Sequence, residues 1–303
     1  MRPFVAALPF LLCLTPVIAQ EKKDLFARDN LVAWCIVPFD AKNRGPAERA
    51  DMLARLGFKR FAYDWRSEHV KTFDAEMDAL AAKGIRLEAF WFPAVLNTEA
   101  RQILDVLKRH KLKTQLWITM DDPAPKAKDQ VDKVRAAADR LAPIADEAAK
   151  IGCSIALYNH GGWFGEPENQ LAIIDTLKRK NVGIVYNLHH GHHQLDHFPA
   201  LLKKMAPHLW CLNLNGMVKD GDKTGKKILP LGQGDLDLGL LKTIQASGYR
   251  GPMGILGHTS DDAEERLRDN LDGLDWLLPQ LAGKEAGPRP KLRTYGGAKK
   301  GAP

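Results

Sequence analysis

Apolar residues in this chain come in short unbroken runs, and each run stops at polar side chains or glycine. The clearest case is 155–166, IALYNHGGWFGE, where Ile155, Ala156 and Leu157 give way to Tyr158, Asn159 and His160, then two glycines, Trp163 and Glu166 before Pro167. The pattern recurs at 182–190, ending in Asn187, His189 and His190, at 209–216, ending in Asn213 and Asn215, and at 253–258, ending in His258. A run that does not alternate polar with apolar reads as a strand covered on both faces, the signature of a parallel sheet.

The first half keeps the same rhythm. Runs at 31–37 (LVAWCIV), 60–64, 85–92 and 114–120 predict strands, and helices are predicted at 46–56, 73–83 and 97–109 and in a long segment ending near 151. Pro46 stands in a first turn, Asn97 at an N-cap with Glu99 following, and Gly57, Gly84 and Gly152 just past helix ends. In the second half, strands 154–159, 182–188, 209–214 and 253–256 alternate with helices 168–179, 196–205, 238–247 and 261–278, and a long loop covers 215–235. Eight strands and eight helices in strict alternation over roughly 250 residues point to the α/β class and to a single (β/α)8 TIM barrel. A doubly wound open sheet also alternates, but no Gly-rich phosphate loop follows the first strand. In a barrel the strand ends share one face, and function sits there.

The ends of the chain have a different character. Arg2, an apolar stretch 4–18 and the small Ala19 before Gln20 have the layout of a secretory signal, 1–19, followed by a leader, 20–30. The apolar stretch is short for a membrane span; a buried N-terminal helix is the alternative. Cys13 lies inside the apolar core of this segment and not at its end, which argues against a lipid anchor. The expected protein is secreted or periplasmic, with no membrane anchor after cleavage. The barrel is expected over 31–280 and a flexible basic tail over 281–303. The formal charge of +7 owes much to Lys22, Lys23 and that tail, and no basic stripe interleaves with aromatics, which argues against nucleic acid as partner. Cys35, Cys153 and Cys211 are each embedded in an apolar run without metal-ligand spacing, so they read as buried free thiols.

The strand ends resemble those of the xylose isomerase-like TIM barrel family, which includes sugar-phosphate isomerases and epimerases and AP endonucleases of the family 2 type. The matching motifs are Tyr158-Asn159-His160, Asn187 with His190 three residues on, the 231–235 turn LGQGD, and 249–252, YRGP, ahead of the last strand. The resemblance implies a divalent metal held largely by carboxylates, and proton movement next to a sugar carbonyl. The sequence departs from it. The family's Glu-Asn-His is Tyr158-Asn159-His160 here, its Asp-x-x-His is Asn187-x-x-His190, its next His is Asn213, and its last Glu falls on Leu256-Gly257 with His258 following. Hard cations prefer carboxylate oxygens, so the usual metal site reads as degenerate.

His160, His190 and His258 come from three strand ends. They suit a softer divalent ion such as zinc, with manganese the other candidate metal, or metal-free acid–base work; hydrogen-bonded structural roles are the plain alternative. His192, His193 and His197 read as surface residues. Asp64, which ends the second strand, and Glu88, inside the third, are candidate general bases. Trp65, Trp91, Tyr158 and Trp163 offer faces for a sugar ring, and Asn159, Asn187, Asn213, Asn215 and Gln233 offer amides for hydroxyls. Lys219 and Lys223 are candidate contacts to an acidic group. The reading is an exported carbohydrate-active isomerase, epimerase or lyase taking a small-molecule sugar or keto-sugar. The alternative is a non-catalytic sugar-binding barrel; a DNA endonuclease fits poorly.

Overall fold

The computed structural model describes residues 24–293. The expected signal, 1–19, and the tail beyond 293 lie outside the described residues. The strands are β1 (Leu31–Trp34), β2 (Arg60–Tyr63), β3 (Arg86–Phe92), β4 (Gln115–Ile118), β5 (Ser154–Tyr158), β6 (Val182–Asn187), β7 (Leu209–Leu214) and β8 (Met253–Leu256). They are parallel and close into a barrel in chain order, with Trp34 of β1 paired to Leu256 of β8. The helices are α1 (Pro46–Arg55), α2 (Phe73–Ala82), α3 (Thr98–Arg109), α4 (Gln130–Lys150), α5 (Pro167–Leu177), α6 (Phe198–Met205), α7 (Asp237–Ala246) and α8 (Ala263–Leu281). This is the expected single (β/α)8 domain.

Both faces of each strand meet side chains, which is why the runs are apolar throughout. Outward residues such as Leu31, Phe61, Leu116 and Ile184 pack under the helices. Inward residues form a second, separate cluster that includes Val32, Trp34, Ala62, Ala89, Trp117 and Ala156. The alanines leave volume that the two tryptophans fill, as close packing requires.

Three departures from regularity shape the two ends of the barrel. Cys35 has φ 61°, a left-handed conformation that costs a non-glycine residue about 1–3 kcal/mol. It ends β1 three residues before the apolar run does, and Ile36 and Val37 join the outer core cluster. Opposite Phe61-Ala62, β3 carries one extra residue, Glu88, and opposite Ile184-Val185, β7 carries one extra residue, Trp210. The Trp210 ring packs against Gly183, where a Cβ would come within 2.3 Å of it.

Asn97 Oδ1 accepts the Ala100 N–H at 2.9 Å, the expected cap of α3. The described part of the C-terminal segment runs along α8: Arg293 pairs with Asp269 and Asp272, and Trp276 Nε1 donates to the Gly287 carbonyl. Cys35, Cys153 and Cys211 are buried free thiols. Among the described residues no helix is long and apolar enough to cross a membrane.

Candidate active site at the strand ends

Four large rings plug the barrel below its C-terminal mouth. Trp34 meets Trp117 edge-on at 4.7 Å between centroids, and Trp91 meets Tyr158 at 4.9 Å and 88°. Trp34 Nε1 donates to the Tyr158 hydroxyl at 3.4 Å. Trp34, Trp117 and Tyr158 are buried, whereas Trp91 is half-buried and is the part of this floor that faces the opening. Burial, and then the neighbouring Cys35, hold the Tyr158 phenol well above its ordinary pKa, so it is a neutral hydroxyl.

Imidazoles stand on this floor. His160 follows β5, His189 and His190 lie in a tight turn after β6, and His258 follows β8. The His160 and His190 centroids are 4.5 Å apart, His189 and His190 are 3.8 Å apart, and His189 and His258 are 6.1 Å apart. Tyr158 is 5.9 Å from both His160 and His190, and Phe39 packs on His258 at 3.8 Å. Desolvation, then the neighbouring His160 and Lys227, push His190 down to about 2 and His258 down to about 4. His160 is lowered by burial and then by Lys227, and His189 is lowered well below its usual range by burial and then by His190. All four are therefore neutral near pH 7 and act as hydrogen-bonding groups with one N–H and one acceptor nitrogen.

Asp64 follows β2. Alternation from Arg60 and Ala62 turns its side chain inward. Its Oδ1 accepts the Val37 N–H at 3.2 Å, and its buried Oδ2 has no hydrogen-bond partner among the described residues. Burial pushes this carboxyl up to about 7, against the pull of the Val37 N–H and Arg66. The Cys35 thiol beside it is raised by burial and by Asp64.

The asparagines are placed where the sequence put them, but their amides are engaged with one another. Asn159 Nδ2 donates to the Asn187 carbonyl at 3.0 Å, and Asn159 Oδ1 accepts the Asn187 backbone N–H at 2.7 Å. Asn213 Nδ2 donates to Asn187 Oδ1 at 2.8 Å. All three are buried and cross-link the ends of β5, β6 and β7 instead of presenting free amides. A Cβ on Gly254 would lie 1.7 Å from Asn213 Oδ1, so only glycine on β8 admits this amide. Asn215 and His192 hold the long loop: Asn215 Nδ2 donates to the Gly216 carbonyl, and both side chains reach the Lys227 carbonyl. His192 is thus buried, not the surface residue expected, whereas His193 is exposed and bonds Glu166 at 2.9 Å.

Other candidates lie elsewhere. Glu88, as the extra residue early in β3, sits at the opposite, N-terminal end of the barrel, where its Oε2 pairs with Arg60 at 3.1 Å and with Arg86. It is not a strand-end base. Trp65 turns outward, donating Nε1 to the Trp91 carbonyl and meeting Phe73 edge-on under α2. Trp163 donates to Gln130 of α4 on the rim. Gln233 is half-buried in a turn whose Gly232 and Gly234 N–H groups bond Asp237 of α7. Lys223 is paired with Asp220.

Sequence reasoning missed Trp34, Phe39, Cys35, Arg66 and Lys227. Trp34 was within reach, because two residues after the inward Val32 it shares its face. Lys227 carries no local signal; only the fold of the loop brings it to the mouth.

Residues 53–279 match the sequence profile of the xylose isomerase-like TIM barrel family. The chain belongs to that family. Among solved structures, family-like barrels cover most of the chain. One is 3-keto-D-glucoside 4-epimerase from Escherichia coli, with TM-score 0.61 and 16% identity, covering 83% of this chain and 99% of that one. Another is D-psicose 3-epimerase determined in the presence of D-fructose, with TM-score 0.60 and 12% identity, covering 84% and 99%. A xylose isomerase-like TIM barrel protein from Mycobacterium smegmatis in complex with magnesium has TM-score 0.55 and 15% identity, covering 84% and 96%. At these identities the likeness establishes the fold alone. No curated protein matches the sequence. Barrels of this fold carry function at the strand ends, and here those ends bring together His160, His190, His258 and Tyr158. Yet among the described residues no set of three or more His, Cys, Asp or Glu side chains is placed to hold a metal ion.

Proposed function

We propose that this barrel is a carbohydrate-active isomerase, epimerase or lyase that moves a proton next to the carbonyl of a sugar or keto-sugar. The observation that carries the reading is a buried carboxyl poised near neutrality, Asp64 at about 7, on the same mouth as a group of neutral imidazoles over an aromatic floor. A base works best when its pKa lies near the working pH, and Asp64 meets that condition where His190, at about 2, does not. In this reading Asp64 takes the proton, and His160 and His190 donate N–H groups to the carbonyl oxygen as it gains charge. A neutral imidazole is a competent electrophile for that purpose. Trp91 carries the apolar face of the ring.

We infer further that the family's metal site is degenerate in this chain. Its positions are held by Tyr158, whose hydroxyl is built into the aromatic plug, and by Asn187 and Asn213, whose amides bind each other. This donor set does not fit a carboxylate-held divalent ion, so no step is assigned to one. The same engagement of the amides favours a second reading, a binding barrel without turnover.

The test is solvent-deuterium incorporation into a panel of keto-sugars. Asp64→Asn, His160→Ala and His190→Ala are each expected to lower exchange by about 10²–10⁴-fold. Wild-type exchange should rise with pH through about 7 as Asp64 loses its proton. Undiminished exchange in all three variants would refute the assignment, and saturable sugar binding without exchange in the wild type would select the binding barrel.

A further inference from the structure

The barrel mouth carries an imbalance of charge. On one side lies Lys227, in the loop after β7. Its carbonyl accepts His192 Nε2 at 3.0 Å and Asn215 Nδ2 at 3.4 Å, and Gly216 bridges Leu229 two residues on. Ile228 packs on the inner aromatic cluster. The loop is therefore folded back over the opening with its backbone pinned, and the exposed Lys227 ammonium depresses all four imidazoles. On the other side lies Arg66, after β2. Its Nη1 donates to the Asp64 and Trp65 carbonyls at 2.9 and 2.7 Å, which fixes the guanidinium 5.8 Å from the Phe39 ring that packs on His258.

Among the described residues neither Lys227 nor Arg66 takes part in an ion pair. Cations elsewhere do: Lys223 in the same loop binds Asp220, and Arg44 binds Asp40 and Asp262. Within the site the imidazoles are neutral, and the buried Asp64 carboxyl is pushed up to about 7 by desolvation despite the neighbouring Arg66. Two exposed cations on the loops after β2 and β7, at the same end of the barrel, raise the local concentration of anions there.

We propose that Lys227 and Arg66 are specificity-determining residues that select a sugar bearing a carboxylate and hold that carboxylate at the mouth while its ring rests on Trp91. Arg66 spends Nη1 on its own backbone carbonyls and leaves the rest of its planar fork for a carboxylate. A phosphoryl group is more often cradled by convergent backbone N–H groups at a glycine loop or helix start, and here the charges are two side chains on separate loops. Binding energy taken from the carboxylate, away from the reacting carbon, serves to orient the carbonyl against Asp64 and the imidazoles.

The inference rests on the barrel mouth being a carbohydrate site, and its test reads binding, so it stands or falls apart from turnover. Calorimetric titration of the full protein compares D-glucuronate, D-glucose and D-glucose 6-phosphate at low and high salt. Glucuronate is expected to bind at least about tenfold more tightly than glucose, with the advantage shrinking as salt rises. Lys227→Met and Arg66→Met should each remove most of that advantage, taken as the ratio of glucuronate to glucose affinity within the same variant. Lys227→Arg should keep it, and unchanged thermal unfolding shows that each variant is folded. The proposal is overturned if glucuronate binds no better than glucose or not at all, if the Met variants keep the preference, or if the 6-phosphate binds more tightly than glucuronate.

Discussion

His190 and His258 are held at about 2 and about 4, and an imidazole in an unfolded chain titrates near about 6.5. Between those values the folded protein binds fewer protons than the unfolded chain. Folding is therefore favoured above pH about 6.5 and opposed progressively as pH falls below it. Asp64 works in the other direction: its raised pKa means that the folded state keeps a proton the unfolded chain has lost, a contribution present at low pH and lost as pH rises through about 7. The two effects separate by substitution. His190→Gln should lose less stability than wild type between pH 7 and pH 5, with the difference reaching about 2 kcal/mol at pH 5. Denaturant unfolding at the two pH values measures it, and equal losses would contradict the burial of a neutral His190.

At the scale of elements, the ends of β5, β6 and β7 are joined by the chain of amides from Asn159 through Asn187 to Asn213. Asn213→Ala removes one donor and leaves the buried Asn187 Oδ1 unpartnered, which should cost about 1–3 kcal/mol. It should also raise hydrogen exchange at the ends of β6 and β7 more than at β2 or β3. Uniform exchange across the barrel would count against the cross-link. Strand and helix order was readable from the runs alone, because buried parallel strands are apolar on both faces and helices carry caps and stops. The location of the asparagines at strand ends was readable too. Their partners were not, because a hydrogen bond between neighbouring strands joins residues 26 and 28 positions apart and leaves no local trace. Glu88 misled for a related reason: only the register with β2 reveals that it is an extra residue facing the far end. Likewise the apolar run 31–37 hides the left-handed turn at Cys35.

For the whole molecule, the family is settled by the match over 53–279, and export is a proposal resting on the layout of 1–19. N-terminal sequencing of protein recovered from the periplasm or medium should begin at Gln20; an intact Met1 on the exported protein would refute cleavage there. The histidine, aspartate and cation groups all lie on the C-terminal face, while the Glu88–Arg60 pair occupies the other. Substituting Glu88 is thus expected to change stability without changing the pH dependence of turnover, which an assay of Glu88→Gln across pH 5–9 checks.

The ring plug gives the protein a built-in optical reporter. Trp34, Trp91 and Trp117 crowd around Tyr158, with Trp91 half-buried 6.2 Å from His160. Anything that settles on Trp91 changes the surroundings of one indole in a coupled set. Its arrival should alter tryptophan emission and the near-ultraviolet dichroism together, and Trp91→Phe should abolish most of both signals. An unlabelled sample in a fluorimeter then suffices to screen sugars.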